Sequence, residues 1–289
     1  MARIASVLCG AVEHAVQHRV PLGHGPAPGS RAASEIDAQP VIASAMGNEV
    51  GPQADAEPVE TAFAQAQVLM ASAADHVLAL AGTLDPFAPW AGRTLARGAV
   101  EAAARAWWLL DPNIDATQRI ARSLTERVHD LRSQRTIVRE MSRIADEERA
   151  EAIEQIESAL ATTAAMATAI GIETIDDDRG FIVAAGARRP ETTVLVTQAV
   201  PEIGRVVYRL YSATAHGVSH GLMSNFDHVQ ESGLSRPIAT LRDVGLVSMA
   251  ALRGWVSAFH REAAMYGYDM ESWQAWRRQA LAVVNAALT

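Results

Sequence analysis

Arg209 and His216 stand seven residues apart, nearly two turns of a helix, so a helix through them sets both on one face. Arg205 and Ser212 join that face at spacings of four and three. Val206, Leu210 and Ala213 are expected on the opposite side, and Gly217 follows His216 directly. A guanidinium and an imidazole side by side can act on a phosphodiester. The imidazole can take a proton from a ribose 2′-hydroxyl, and the guanidinium can stabilise charge developing on phosphorus. That chemistry needs no metal and no cofactor. The plainer reading is a histidine satisfied by Ser212 or the backbone, and an arginine in an ion pair. Gly217 either leaves room for a ligand backbone or makes a packing contact.

A second set lies upstream. Arg97, Glu101, Arg105 and Trp108 recur along one helical face. In the functional reading, Glu101 orients Arg209 or His216, while Arg97 and Arg105 widen a phosphate site. In the other, they form a ladder of ion pairs along one helix, each worth a few tenths of a kcal/mol. A third option is metal binding. His216 and His220 are four apart, a spacing that suits two ligands on a helix, with His76, His228 or His260 as a third. That arrangement would resemble the metal hydrolases and thiol transferases of the DinB-like kind. No Gly-rich phosphate loop, Cys-x2-Cys pair or Gly-x-Ser-x-Gly elbow occurs. Asp176-Asp177-Asp178 lacks the alternation and central glycine of a calcium loop and reads as a solvated turn.

The elements that must hold these residues are helical. Phe63, Met70, Val77 and Leu84 recur every seven residues with Ala66, Ala73 and Ala81 between them, a helical stripe that Asp85-Pro86 ends. A second helix runs from about Ala91 to Leu110. Asp115 with Gln118 reads as a capping box opening a stretch free of Gly and Pro from Ala116 to Ile170. One unbroken helix over it would span roughly 80 Å, so a bend near Ser133–Arg135 or Ala145–Arg149 is expected. A short hairpin is expected around Phe181–Ala184, and β-branched Thr192–Ala199 is left undecided. Helices are then expected over about Ala199–Asn225, Arg236–Tyr266 and Asp269–Ala287. Ser235 with Pro237 marks the start of the second, and Asp269 caps the third. The Pro-, Gly- and Ala-rich run from Val20 to Pro58 has no apolar period, so residues 1–57 read as a flexible extension with a short helix over 1–20. The expectation is an all-α bundle of six or seven helices over residues 58–289, with 116–170 as a long helical hairpin or insertion.

Composition agrees. Aromatic residues are only 5% and alanine is abundant, which favours close helix packing over a sheet. No lysine occurs, so all 25 basic residues are arginine, each a planar fork suited to carboxylate or phosphate. A net charge of −8 argues against a general nucleic-acid coat protein. The charge is uneven, however. Residues 93–143 hold ten arginines and six acids, residues 144–178 one arginine and ten acids, and residues 179–289 eleven arginines and eight acids. The acidic stretch 146–157 is expected on the exposed face of the long hairpin, where a partner could bind, such as an arginine-rich surface of a second copy. Cys9 is the one cysteine, and no segment reaches the ~20 apolar residues that span a bilayer. Residues 4–12 are apolar behind Arg3, but Glu13 and two histidines follow without a small-residue cleavage site, so the chain reads as cytoplasmic.

The Arg-x6-His spacing late in a helical bundle resembles the catalytic motif of the HEPN superfamily. The strings over 97–110 and 208–217 are similar to uncharacterised actinobacterial HEPN-like helical proteins, some linked with abortive infection. The resemblance covers about residues 60–288. It implies a metal-independent endoribonuclease in phage defence or a toxin–antitoxin pair. Arg209 would bind phosphate, His216 would be the general acid or base, and the partners would be RNA, a second copy and a protein such as an antitoxin. Members often carry a polar residue after the arginine, where this chain has Leu210. Together with the acidic net charge, Leu210 favours a second reading, a catalytically silent helical interaction module.

Overall fold

A computed structural model describes residues 1–19, 25–176, 182–184, 186–218, 227–231, 234–238 and 240–288. It is all-α, with eleven α-helices among the described residues, eight of them within residues 58–289, where six or seven are expected. The chain divides into two compact units. The first comprises residues 1–32, 66–112 and 191–289, and the second residues 33–65 and 113–190.

The second unit holds most of what composition marked as flexible. The short helix expected over residues 1–20 is α1 (Ala2–Arg19), and the extension expected to be flexible beyond it is corrected to include α2 (Arg31–Asp37) and α3 (Gln39–Val50), while residues 20–24 lie outside the described residues. Local apolar periodicity is weak here because long-range polar anchors take its place. Glu35 of α2 receives two hydrogen bonds from Arg119, Nε to Oε2 at 2.7 Å and Nη2 to Oε1 at 3.1 Å, with both residues buried. The Gln39 side-chain oxygen accepts from the backbone N–H groups of Val59 and Glu60. It thereby satisfies the open N-terminus of α4 (Pro58–Gly82). The seven-residue stripe of α4 is buried throughout, and Leu84 just beyond the helix is fully buried.

The long Gly- and Pro-free stretch folds as a helical hairpin. Asp115 caps α6 (Ala116–Glu140) by accepting from Gln118 N–H at 2.8 Å; α7 (Asp146–Ala169) returns after a turn at residues 141–145. The chain therefore breaks at the start of the second expected site, not at Ser133–Arg135. Val128, Ile156 and Leu160 join the two helices, with Leu131 and Val138 packed against them. The acids of residues 146–157 are exposed, as expected. Beyond α7, β1 (Thr174–Asp176) pairs antiparallel with β2 (Ile182–Ala184), the expected hairpin. Asp177 and Asp178 lie outside the described residues.

The first unit is built around α5 (Pro89–Leu109). Its alanines, Ala96, Ala99, Ala103 and Ala106, are wholly buried, and helices pack on several sides of it. Against it lie α8 (Thr192–Ala199), α9 (Gly204–Ala215) and α10 (Leu241–Tyr266). A Cβ on Gly254 of α10 would sit 3.2 Å from the Val100 Cα, so small residues let these backbones approach. α1 packs on α10 and on α11 (Glu271–Asn285), with Leu8 and Ala11 buried and the Trp255 indole donating to the Ala11 carbonyl. Trp273, Ala280 and Val284 of α11 are buried, as is Ala287 just beyond it.

Thr192–Ala199, undecided from sequence, is helical, because its β-branched residues are overridden by packing of Leu195, Val196 and Ala199 into the core. The start expected at Ser235 and Pro237 is instead a strand: β3 (Asp227–Glu231) pairs antiparallel with β4 (Leu234–Ile238). The helix begins at Leu241, after a capping box in which Thr240 Oγ1 accepts from Asp243 N–H and the Asp243 carboxylate accepts from Thr240 N–H. Leu241, in this first turn, is 54% exposed. Asp269 accepts from Glu271 N–H, but Met270 occupies the cap position of α11.

His260 gives this unit a pH dependence. Arg277 Nη1 donates to His260 Nε2 at 3.0 Å, and burial first, then the Arg277 charge, hold the imidazole below its ordinary range. The fold therefore favours neutral His260. Its contribution to stability is complete above the unfolded-state value of about 6.5 and is lost as pH falls through the lower folded-state value. Denaturant midpoints measured between pH 8 and 5 are expected to fall less in His260→Gln than in the parent. Parallel curves would assign the loss to other groups.

Candidate functional site

The site face is set by the burial pattern of α9. Gly204, Val207, Tyr208, Tyr211 and Thr214 are buried, a spacing of three and four that turns one side of the helix to the core. Arg205, Arg209 and His216 are exposed, and Ser212 is half-buried between them. Val206 was expected on the covered side and is instead 72% exposed, since it neighbours Arg205 at 100° around the helix. Leu210 is half-buried and Ala213 buried.

The helix ends at Ala215, with His216 as its cap residue. Gly217, at φ 67°, donates to the Thr214 carbonyl, and Val218 N–H donates to the Ala213 carbonyl. This is a Schellman termination, and glycine serves because the left-handed backbone penalises a Cβ. Gly217 is thus a helix stop, and a Cβ there would meet nothing within 4 Å among the described residues. The helix expected to reach Asn225 ends at Ala215, and residues 219–226 lie outside the described residues.

Beneath α9, Glu101 has partners other than those expected. Its Oε2 accepts from the Tyr208 hydroxyl at 3.3 Å and lies 3.5 Å from Arg97 Nη2. The Arg97 guanidinium is 5.5 Å from the centre of the Tyr208 ring. Arg97, Glu101 and Tyr208 therefore tie α5 to α9, and Glu101 orients neither Arg209 nor His216. Arg105, one turn further along α5, is half-buried. Tyr208 belongs to this cluster although spacing alone did not single it out. Deeper still, burial raises the Tyr211 hydroxyl above its ordinary range, more than the Arg93 charge lowers it, so it stays protonated. Burial also lowers Arg93, against the opposing effect of Tyr211 and Asp243.

The exposed arginines meet a groove between α8 and α9. It holds about 350 Å³ and is lined by Arg205, Arg209, Thr193, Thr197 and Gln198, with Glu191 as its one carboxylate. These α8 residues had no sequence signal, because the segment read neither clearly as helix nor as strand. His216 does not line the groove but lies beyond it on the same helix. Among the described residues, neither Arg209 nor His216 has a side-chain hydrogen bond or ion pair. The arrangement offers two guanidinium forks on a groove, with an open imidazole further along the same surface.

The groove depends on a close crossing. A Cβ on Gly204 would overlap the Val196 carbonyl oxygen, a backbone atom that cannot swing aside. Gly204→Ala is expected to cost about 1–3 kcal/mol through overpacking, read as a lower midpoint in denaturant. A midpoint equal to the parent's would show that α8 and α9 part freely.

The metal alternative gains no support from the described residues, among which no three His, Cys, Asp or Glu side chains could hold an ion. His220 lies outside the described residues. His76 packs its ring over Gly98, where a Cβ would come within 2.7 Å, and His260 is engaged by Arg277. No helix among the described residues is long and apolar enough to cross a membrane. Comparison with family models, with curated proteins and with solved structures gave no match to this chain.

Proposed function

We propose that the chain is a HEPN-like, metal-independent endoribonuclease. The observation that carries this reading is the exposed side of α9, where Arg209 and His216 stand without side-chain partners among the described residues. Arg205 adds a second cation on the groove that Arg209 lines. In the reaction, the arginine forks hold the phosphate and His216 takes the proton of the adjacent 2′-hydroxyl. The 2′-oxygen then bonds to phosphorus, the bond to the 5′-oxygen breaks, and the leaving oxygen takes a proton from solvent. The products are a 2′,3′-cyclic phosphate and a 5′-hydroxyl. Arg97, Glu101 and Tyr208 act at one remove, by fixing α9 on α5 so that its exposed face is rigid. The reading fits a cytoplasmic enzyme of phage defence or of a toxin–antitoxin pair, held in check by a protein partner.

A second reading, the silent interaction module, is favoured by Glu101. Its carboxylate is committed to Arg97 and Tyr208 and leaves His216 without an orienting acid among the described residues. Incubation of the purified protein with mixed RNA in EDTA separates the two. Fragmentation by the parent supports the nuclease, whereas intact RNA even at high protein concentration leaves the interaction module.

A further inference from the structure

The α6–α7 hairpin carries an apolar groove of about 450 Å³ in which Leu131, Ile137 and Val138 of α6 face Ala152, Ile156 and Ala159 of α7. Ile137, on its α6 side, is 58% exposed, and Met141, the cap residue just past α6 and beyond the groove lining, is 46% exposed. They are four residues apart, and Gln134, Ile137, Val138 and Met141 form one helical stripe. Of this stripe, Val138 also takes part in the contact between the two helices, which uses Val128, Leu131 and Val138 on the α6 side, while Ile137 and Met141 stand outside it. Hydrophobic side chains in such a row on the mostly exposed C-terminal half of α6 signal a missing partner. Ala152 and Ala159 are small, which lets a third helix approach closely.

Charge states what kind of helix fits. Glu148, Glu151, Ala152, Gln155 and Ala159 share one side of α7, so the groove is edged by carboxylates. Residues 146–157 hold six acids and one arginine. The α6 arginines that could balance them are on the other flank, where Arg132, Arg135 and Arg139 follow at spacings of three and four and Arg135 pairs with Glu157 at 2.6 Å. A second copy would bring the same carboxylates to the same edge, and the repulsion would oppose pairing. We infer that the groove is a docking site for a basic amphipathic helix of another protein, whose apolar stripe covers Ile137 and Met141 while its cations meet Glu148 and Glu151. The mode is a helix laid in a groove, completing a three-helix bundle. It does not rest on the ribonuclease reading.

The test uses the full chain and two helix-forming peptides with the same leucine stripe, one flanked by lysines and the other by glutamates. The lysine-flanked peptide is expected to bind at least about tenfold tighter at moderate salt. Ile137→Ser with Met141→Ser, which leaves the charge unchanged, is expected to remove that binding while circular dichroism stays at the parent's helix content. Both residues are exposed, so neither change opens the core. Equal binding of the two peptides, or binding that survives the double substitution, would overturn the proposal. So would a parent that sediments as a dimer and a double variant that sediments as a monomer, which would give the face to a second copy.

Discussion

Replacing His216 with alanine is expected to slow RNA cleavage by about a hundredfold to ten-thousandfold, the usual contribution of a positioned general acid or base. The expectation follows from its position. His216 closes α9 through its backbone N–H, which donates to Ser212, while its imidazole is exposed and has no side-chain bond among the described residues. Alanine therefore removes the proton acceptor without disturbing the Gly217 termination or the core face of Tyr208 and Tyr211. Thermal stability should stay within about 0.5 kcal/mol of the parent's, as for a surface change. RNA affinity should change little, because Arg205 and Arg209 remain on their groove. An alanine variant that cleaves like the parent would remove His216 from the reaction. One that neither cleaves nor melts like the parent would mark it as structural.

The largest stability effect is expected at Arg119. Arg119→Met keeps most of the side-chain volume but leaves the Glu35 carboxylate buried without the two charge-assisted hydrogen bonds that hold it. The guanidinium also lies 5.0 Å from the centre of the Phe63 ring, so a contact with α4 is lost as well. Breaking one side of a buried pair costs about 3–5 kcal/mol. The loss should be read in denaturant and by protease cleavage within residues 31–57, because Glu35 anchors α2. The double variant Glu35→Met, Arg119→Met removes the stranded charge and should recover much of the loss. A single variant as stable as the parent would mean that α2 is held by something other than this pair.

These two sites illustrate what the sequence disclosed. The stripe of α4 and the hairpin of α6 and α7 were legible because each is a run of apolar residues at helical spacing, and all the information lies within the helix. The same holds for the exposed side of α9, where Arg205, Arg209 and His216 follow from spacing alone. The helices in residues 31–50 were not legible, since their anchors, Glu35 to Arg119 and Gln39 to Val59 and Glu60, join positions 20 to 84 residues apart. Val206 was misplaced because an amphipathic helix can be rotated by one residue until its neighbours are known. Glu101, expected to orient the arginine or histidine, meets Tyr208 of α9 instead. Pairing across helices depends on which turn meets which, and no spacing rule supplies that. The groove on α8 escaped for a similar reason, as tertiary packing decided that β-branched Thr192–Ala199 would be helical.

The most direct test of the central claim compares two oligonucleotides of one sequence, one all-ribose and one with every 2′-hydroxyl replaced by hydrogen, each incubated with the full chain in EDTA. In-line attack by a 2′-oxygen activated at His216 predicts that the ribose strand alone is cut, leaving a 2′,3′-cyclic phosphate on one product and a 5′-hydroxyl on the other. Cleavage of both strands, or a 5′-phosphate on the product, would contradict it, since either outcome requires a nucleophile other than the 2′-hydroxyl.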